Sequence, residues 1–357
     1  MAVYKIFAES DASLYSYYPT QNTGLDEILE VASYNFSAQT LGGSDDLRRS
    51  LVKFADSDIS LISQFTTGSW SANLKLYLAN ANGLTTDYTL IFHQVSQSWV
   101  MGTGKYQDDP VVKSGACWYT PGPYITGSTI WDTSTYYNTA GGGSITAISS
   151  SQSFEYKDSK DVDANVTNIV DSWFSGSENN GILVRHITSV ENNPSSSIGL
   201  SFFSTDTHTI YPPTLEMKWD DSAYSTGSLS VVGDNQFVIS VANNPGTFKS
   251  DTVKYNFRLS VRDKYPQRTF TTSSIYLNNK ALPETSYWAV QDVKTEDIII
   301  DFDDNYTKIS CDSEGSYFSS YISGLEPERY YKLIFKVVLN TGETIEVDDN
   351  FIFKVIR

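Results

Sequence analysis

Three histidines, two cysteines and many acids in pairs are the side chains of this chain best suited to chemistry. His93, His186 and His208 lie far apart. No His-x-x-x-His or Cys-x-x-Cys spacing links them to one another or to Cys117 and Cys311, so zinc ligation has no motif to stand on. Isolated structural histidines are the expectation. A Gly-x-Ser-x-Gly elbow is absent, and neither cysteine has a histidine near it in sequence, so nucleophilic catalysis leaves no signature either. In so acidic a chain, Asp45-Asp46, Asp108-Asp109 and Asp220-Asp221 read as solvated loop carboxylates rather than as a glycosidase pair. Asp301, Asp303, Asn305 and Asp312 occupy the first, third, fifth and twelfth places of a calcium-loop pattern. The sixth place, where Gly makes the sharp turn, is Tyr306, and the flanks read as strands instead of helices. These residues predict no catalytic centre, no cofactor and no metal site.

Aromatic side chains are the second kind of candidate. Trp99, Trp118, Trp131 and the pair Tyr136-Tyr137 sit in or beside loops, where exposed rings can stack on sugar faces. Trp99 and Trp118 are expected to fill core beneath those loops, since large aromatics are mostly buried. For Trp131, Tyr136 and Tyr137 two readings stand side by side, a glycan platform and buried packing.

Such residues need a scaffold, and composition points to sheets. The chain has 357 residues with 18 Phe, 24 Tyr and 7 Trp, enough apolar surface for two or three cored domains. Tyr suits half-buried sheet positions, where the ring packs and the hydroxyl reaches water. A net charge of −17 argues against a nucleic-acid surface, which needs clustered Lys and Arg. No apolar run approaches the roughly 20 residues that cross a bilayer. The first residues, Ala2-Val3-Tyr4-Lys5-Ile6-Phe7, alternate like a strand and lack the regions of an export signal. The cysteines fall in different predicted domains and are expected to be buried free thiols.

Strand signals dominate at residues 51–54, 72–78, 88–95 and 215–219. From Asp163, a plausible N-cap, Val166, Ile169, Val170, Trp173 and Phe174 fall at helical spacing and Gly176 closes the run, which predicts one short helix. Residues 133–153, rich in Gly, Ser and Thr, read as a long loop. A boundary is placed after Asp221. Beyond it, residues 254–262 alternate apolar and polar, and segments 298–302, 330–339 and 344–355 complete a second set of strands. The closing segment from Asn350 to Arg357 reads either as a free strand that could augment a neighbour's sheet or as an internal strand of its own domain. The expected fold is all-β: a jelly-roll-like antiparallel β-sandwich over residues 1–221, carrying the one helix, and an immunoglobulin- or fibronectin-like antiparallel β-sandwich over residues 222–357.

Ordered blocks in the first half resemble the disaggregatase-related β-sandwich family, often called DNRLRE-type and related to carbohydrate-binding modules. The blocks include Arg49-Ser50-Leu51-Val52-Lys53-Phe54, Ala72-Asn73-Leu74-Lys75-Leu76-Tyr77, Gly115-Ala116-Cys117-Trp118 and Pro212-Pro213-Thr214-Leu215-Glu216. The chain also resembles virion structural proteins of T4-like marine bacteriophages that infect cyanobacteria. That likeness is carried by the tract from Tyr15-Ser16-Tyr17-Tyr18-Pro19 to Leu25-Asp26-Glu27-Ile28-Leu29-Glu30 and by Gly324-Leu325-Glu326-Pro327-Glu328-Arg329-Tyr330-Tyr331-Lys332. The resemblance implies a non-enzymatic structural protein of the tail, neck or baseplate, folded in the host cytoplasm and released by lysis. Its partners would be other virion proteins in a homo- or hetero-oligomer, with the second domain as an anchor. The alternative is a glycan-binding module that attaches the particle to a host polysaccharide.

Overall fold

The structure is a computed structural model that describes residues 2–35, 45–66, 68–84, 87–125, 128–131, 141–155, 157, 159–193, 197–233, 237–265 and 278–357. The protein is mostly strand, arranged in several largely antiparallel sheets. It divides into two compact units, one of Ile6–Phe65 and Ser71–Met217, the other of Met1–Lys5, Thr66–Trp70 and Lys218–Arg357. No helix among the described residues is long and apolar enough to cross a membrane.

In the first unit the part of the strand Ala2–Tyr15 from Ala8 onward runs antiparallel to Asp45–Phe54, setting Asp11 opposite Val52 and Tyr15 opposite Arg48. The other edge of Asp45–Phe54 is shared by two strands. Arg48 faces Ala32 of Ile28–Asn35, and Ser50 faces Val184 of Ile182–His186. One ladder continues from Ile28–Asn35 through Ser197–Phe203 to Leu78–Asn82. The other continues from Ile182–His186 through Tyr88–Val95 to Ser144–Phe154. The two-residue period of a strand puts Leu14, Leu51 and Leu183 on one face, where they pack with Val95, Trp118 and Trp131. The described residues of 97–131, which form no strand, reach that face through Trp99, Ala116, Trp118 and Trp131.

Four local expectations change. Residues 144–154 form a strand, not a loop, paired with Tyr88–Val95 through a backbone ladder that Ser and Thr do not hinder. The helix spans Thr167–Phe174 and buries Ile169, Val170 and Trp173, but Val166 precedes it and no side chain caps it. Asp163 lies instead in the strand Val162–Asn165, where it accepts from Asn73 Nδ2 at 2.7 Å. Asp56–Phe65 and Thr188–Glu191 are further helices in this unit, where one helix was expected.

Among its described residues the second unit holds two sheets. One orders Phe237–Val241, Tyr255–Asp263, Ser316–Ser320 and Ser310–Cys311. The other orders Thr247–Lys249, Thr344–Ile356, Arg329–Val338, Ser286–Asp292 and Ile298–Ile300. Alternation along Tyr255–Asp263 buries Phe257, Leu259 and Val261. Phe257 stacks on Phe318 of the same sheet at 5.1 Å, and Phe318 stacks on Trp288 of the other at 4.8 Å. Stacked rings thus join the two sheets in one core, which also takes in Val3. The unit is discontinuous, drawing on Met1–Lys5 and Thr66–Trp70 as well as Lys218–Arg357.

The end of the chain is an internal strand. Lys354, Val355 and Ile356 pair in parallel with Thr247–Lys249 on one side, while Thr344–Ile356 pairs antiparallel with Arg329–Val338 on the other. This parallel pair departs from the all-antiparallel expectation. It also makes the closing segment an internal strand, because residues 354 and 355 are paired on both edges.

Candidate functional site

Trp131 cannot serve as a sugar platform. Its side chain is 2% exposed and its Nε1 donates to Cys117 O at 2.9 Å, so neither ring face meets solvent. Tyr136 and Tyr137 lie outside the described residues. Trp118 is buried beneath the Arg49 guanidinium, 5.0 Å from its ring, and half-buried Trp99 donates to Asn180 O. Arg49 in turn makes a two-pronged bond to Glu191, 2.9 Å at each oxygen, and Arg185 reaches the same carboxylate at 3.1 Å. This buried ion network fixes the segment above it.

The histidines are not brought together as a site. Burial pushes His93 down to about 4, helped by Arg185 and Arg49, and burial alone accounts for most of the fall of His186 to about 4. His208 is exposed in a loop near Glu27. Cys117 and Cys311 are buried and free. The calcium-loop residues serve separate turns. Asp303 accepts the Asn305 and Tyr306 N–H groups and pairs with Lys218 at 2.9 Å, while Asp312 accepts from Glu314 and Gly315 and pairs with Arg258. No group of three or more His, Cys, Asp or Glu side chains among the described residues is placed to hold a metal ion.

What the fold does assemble is a cleft of about 500 Å³ lined by residues 15, 26–28, 30 and 105–107, among them Tyr15, Asp26, Glu30, Lys105 and Tyr106. Antiparallel pairing brings Arg48 opposite both Tyr15 and Ala32, two residues beyond Glu30 on its strand. Glu30 Oε2 then accepts from Tyr15 OH at 2.7 Å and from Arg48 Nη1 at 2.8 Å. Arg48 donates two more N–H groups to Asp46, at 2.8 and 2.7 Å, and lies 5.1 to 5.8 Å from the centroids of Tyr34, Tyr15 and Tyr106. Burial works against the Arg48 charge, but Glu30 and Asp46 more than offset it and raise its pKa. The guanidinium is a fixed hub of the wall.

The opposite wall comes from segment 97–131. Asn22, fully buried, donates through Nδ2 to Met101 O at 2.7 Å and Ala116 O at 2.9 Å, and accepts the Gly104 N–H at 2.9 Å. The approach is so close that a Cβ on Gly102, whose φ is +80°, would meet Asn22 Oδ1 at 2.2 Å. Gln21 Nε2 donates to the carbonyls of Lys105 and Tyr106. The Tyr106 N–H is thereby aimed at Asp26, 3.0 Å from one carboxyl oxygen and 3.1 Å from the other. Burial pushes Asp26 up to about 6, with Glu30 and Asp108 adding to the rise and Tyr106 N–H and Lys105 opposing it. The cleft offers carboxyl acceptors, Lys and amide donors and a tyrosine wall, a set that suits hydroxyl-rich or cationic ligands. Its first half lies in the Tyr15–Glu30 tract visible in sequence. Its second half, Lys105 and Tyr106, carries no motif of its own.

Segment 97–131 also presents an apolar outer surface. Val100, Val111, Tyr119, Ile125 and Ile130 are exposed, Ile125 by 69% and Ile130 by 60%. Backbone bonds keep the segment in shape, among them Val100 N to Pro121 O at 2.8 Å and Ala116 N to Val100 O at 2.7 Å. A depression of about 540 Å³ lies among Trp99, Val100, Pro121, Pro123 and Ile125. No protein-family model matches this chain, and no curated protein matches it.

Proposed function

We propose that this protein is a non-enzymatic structural component of a bacteriophage virion, associated with the tail, neck or baseplate, and that it works through protein–protein contacts. The observation that carries the reading is the exposed apolar side chains of segment 97–131 on a braced backbone. Several large apolar side chains of one segment stand exposed, and two of them, Val100 and Ile125, line one depression, which supports a contact face there. The first unit is read as a jelly-roll-like, DNRLRE-type sandwich. The second is read as an immunoglobulin- or fibronectin-like sandwich and a candidate anchor. Support for the latter is the shared core of its two sheets and the bond from Tyr331 OH to Glu326 O at 2.9 Å, which has the form of the tyrosine corner of such domains. Its place would be the virion, reached by folding in the host cytoplasm and release on lysis. A mass-spectrometric inventory of purified particles of the phage encoding the chain tests this. Recovery at a fixed copy number is expected, and recovery only in the soluble lysate overturns it.

The cleft at Tyr106 and Asp26 favours a second reading, a glycan-binding module that holds the particle to a host polysaccharide. Binding of host polysaccharide that is lost in Tyr106→Ala, with incorporation into particles unchanged, would select it. Retained binding in that variant would remove the cleft from consideration.

A further inference from the structure

The strand Phe237–Val241 ends a sheet of the second unit: it pairs with Tyr255–Asp263 on one side and, among the described residues, with no strand on the other. The ladder runs from Phe237 opposite Asp263 to Val241 opposite Leu259 without a bulge. Just past it, Ala242 N–H donates to Arg258 O at 2.8 Å, so by the two-residue period the Val238 and Ser240 backbones face that neighbour too. The N–H and C=O groups of Phe237, Ile239 and Val241 therefore point out over the open edge, where no described residue bonds to them. Natural sheets guard such edges with charge, proline, bulges or cover. Elsewhere this unit does so. The other end of the same sheet is covered by Ser225, whose carbonyl accepts the Cys311 N–H at 2.8 Å. Asp297 and Asp301 bracket Ile298–Ile300, and the part of Thr344–Ile356 unpaired on its second side carries Glu346, Asp348 and Asp349. Phe237-Val238-Ile239-Ser240-Val241 has no such guard. It is uncharged, free of proline and rich in β-branched residues, the composition most ready to pair.

We propose that Phe237–Val241 is a self-association edge, on which the same strand of a second copy of this chain pairs antiparallel about a two-fold axis at Ile239. The strand is its own complement. About that axis Phe237 of one copy meets Val241 of the other, Ile239 meets Ile239, and Val238 meets Ser240. The outward backbone groups of both copies belong to residues 237, 239 and 241, so they face one another in register. On the inner side Phe237, Ile239 and Val241 pack on the unit's core, and pairing sets the two cores side by side. On the wet face Val238 and Ser240 stand beside Arg262 and Ser260 of the next strand. Charge selects this occupant. The chain is strongly acidic, yet here two copies meet through uncharged strands, with no carboxylate opposed to another across the pairing. A partner strand chosen by its own charge would find no counter-charge on this edge. The two four-stranded sheets would then run on as one. This edge is independent of the assembly reading and of the cleft.

Full-length protein is followed by analytical ultracentrifugation across a concentration series at physiological salt. A monomer–dimer equilibrium is expected, weak because so short a strand makes a small interface. Val241→Pro removes an edge N–H without touching the ladder to Tyr255–Asp263, a position at which a strand tolerates proline. It should raise the dimer dissociation constant about tenfold or more while the melting transition is kept. Val238→Cys combined with Ser240→Cys sets sulfurs opposite one another between copies, in the closer, non-hydrogen-bonded pairing that a disulfide can span. Mild oxidation should give a covalent dimer from the double variant and none from either single variant, since Cys117 and Cys311 are buried. A chain that stays monomeric up to about 1 mM overturns the proposal and leaves the edge to a strand of another protein. So does a dimer that is unchanged in folded Val241→Pro, or a double-cysteine variant that oxidises without cross-linking.

Discussion

Replacing Asn22 with Ala should cost more stability than a typical surface change, because its amide satisfies three buried backbone groups of segment 97–131. Leaving buried polar groups unpaired costs roughly 1–3 kcal/mol each, and partial relaxation puts the expected total at about 3 kcal/mol. Urea unfolding checks this; a loss below about 1 kcal/mol would mean that the segment re-forms without its pin. Asp11 makes a prediction about pH. Burial raises its carboxyl to about 7 from 3.8, with Asp206 adding to the rise. A carboxyl whose folded pKa exceeds its unfolded value holds its proton more tightly when native. Its favourable contribution is complete at low pH and lost as pH rises from about 4 to about 7. His93 and His186, lowered to about 4 from 6.5, act in the opposite sense, losing stability as pH falls through that window. Asp11→Asn removes only the first effect, so its stability relative to the parent protein should improve steadily from about pH 4 to about pH 7. A difference that stays constant with pH refutes the assignment. Trp131 shows why single residues were hard to place from sequence. A tryptophan beside a loop reads alike whether its ring faces water or a core, and only the bond to Cys117 O and the packing with Leu14 and Leu183 decide.

Strands were legible as elements where apolar runs or alternation record burial directly. Tyr88–Val95 falls where its apolar run puts it, and Tyr255–Asp263 where its alternation does. Ser144–Phe154 was not legible. Its Ser-rich middle carries little apolar alternation, and it is held by the ladder to Tyr88–Val95, a partner that composition cannot name. The helix Asp56–Phe65 buries only Ile59 and Ile62, too narrow a stripe to stand out among strand signals. The cleft shares this limit: Asp26 and Tyr106 meet only because Asn22 and Gln21 fold a distant segment back onto the first strands. Pairing also decides what truncation does. Removing residues 350–357 deletes Phe353 and Val355 from the core and strips a ladder from both Arg329–Val338 and Thr247–Lys249. Loss of the large ring alone costs about 3–5 kcal/mol. The truncated chain should therefore lack the second unit's cooperative calorimetric transition. A preserved transition would mean that the closing strand is peripheral.

At the scale of the whole molecule, the membership of each unit bears on how the chain can be divided. The second unit draws on Val3, and within it Trp219 packs 4.9 Å from Tyr321. A fragment beginning at residue 222 lacks both side chains. Each buried side chain contributes about 1.5–3 kcal/mol, so the fragment should melt well below the same unit in the full chain; equal melting would show that Val3 and Trp219 are dispensable. The same separation of folding from contact applies to the apolar surface of segment 97–131. A net charge of −17 opposes the close approach of two copies. A specific contact must then come from surface that this charge does not dominate, and Ile125 and Ile130 are the most exposed aliphatic side chains of that kind. They pack on little, so Ile125→Glu with Ile130→Glu should change stability by no more than about 0.5 kcal/mol per site. At a buried contact the same charges would be desolvated without partners, a cost that abolishes docking. Particles assembled with the double variant should therefore lack the protein although it folds and stays soluble. Full incorporation of a stably folded double variant would move the contact face elsewhere and remove the main support for the assembly reading.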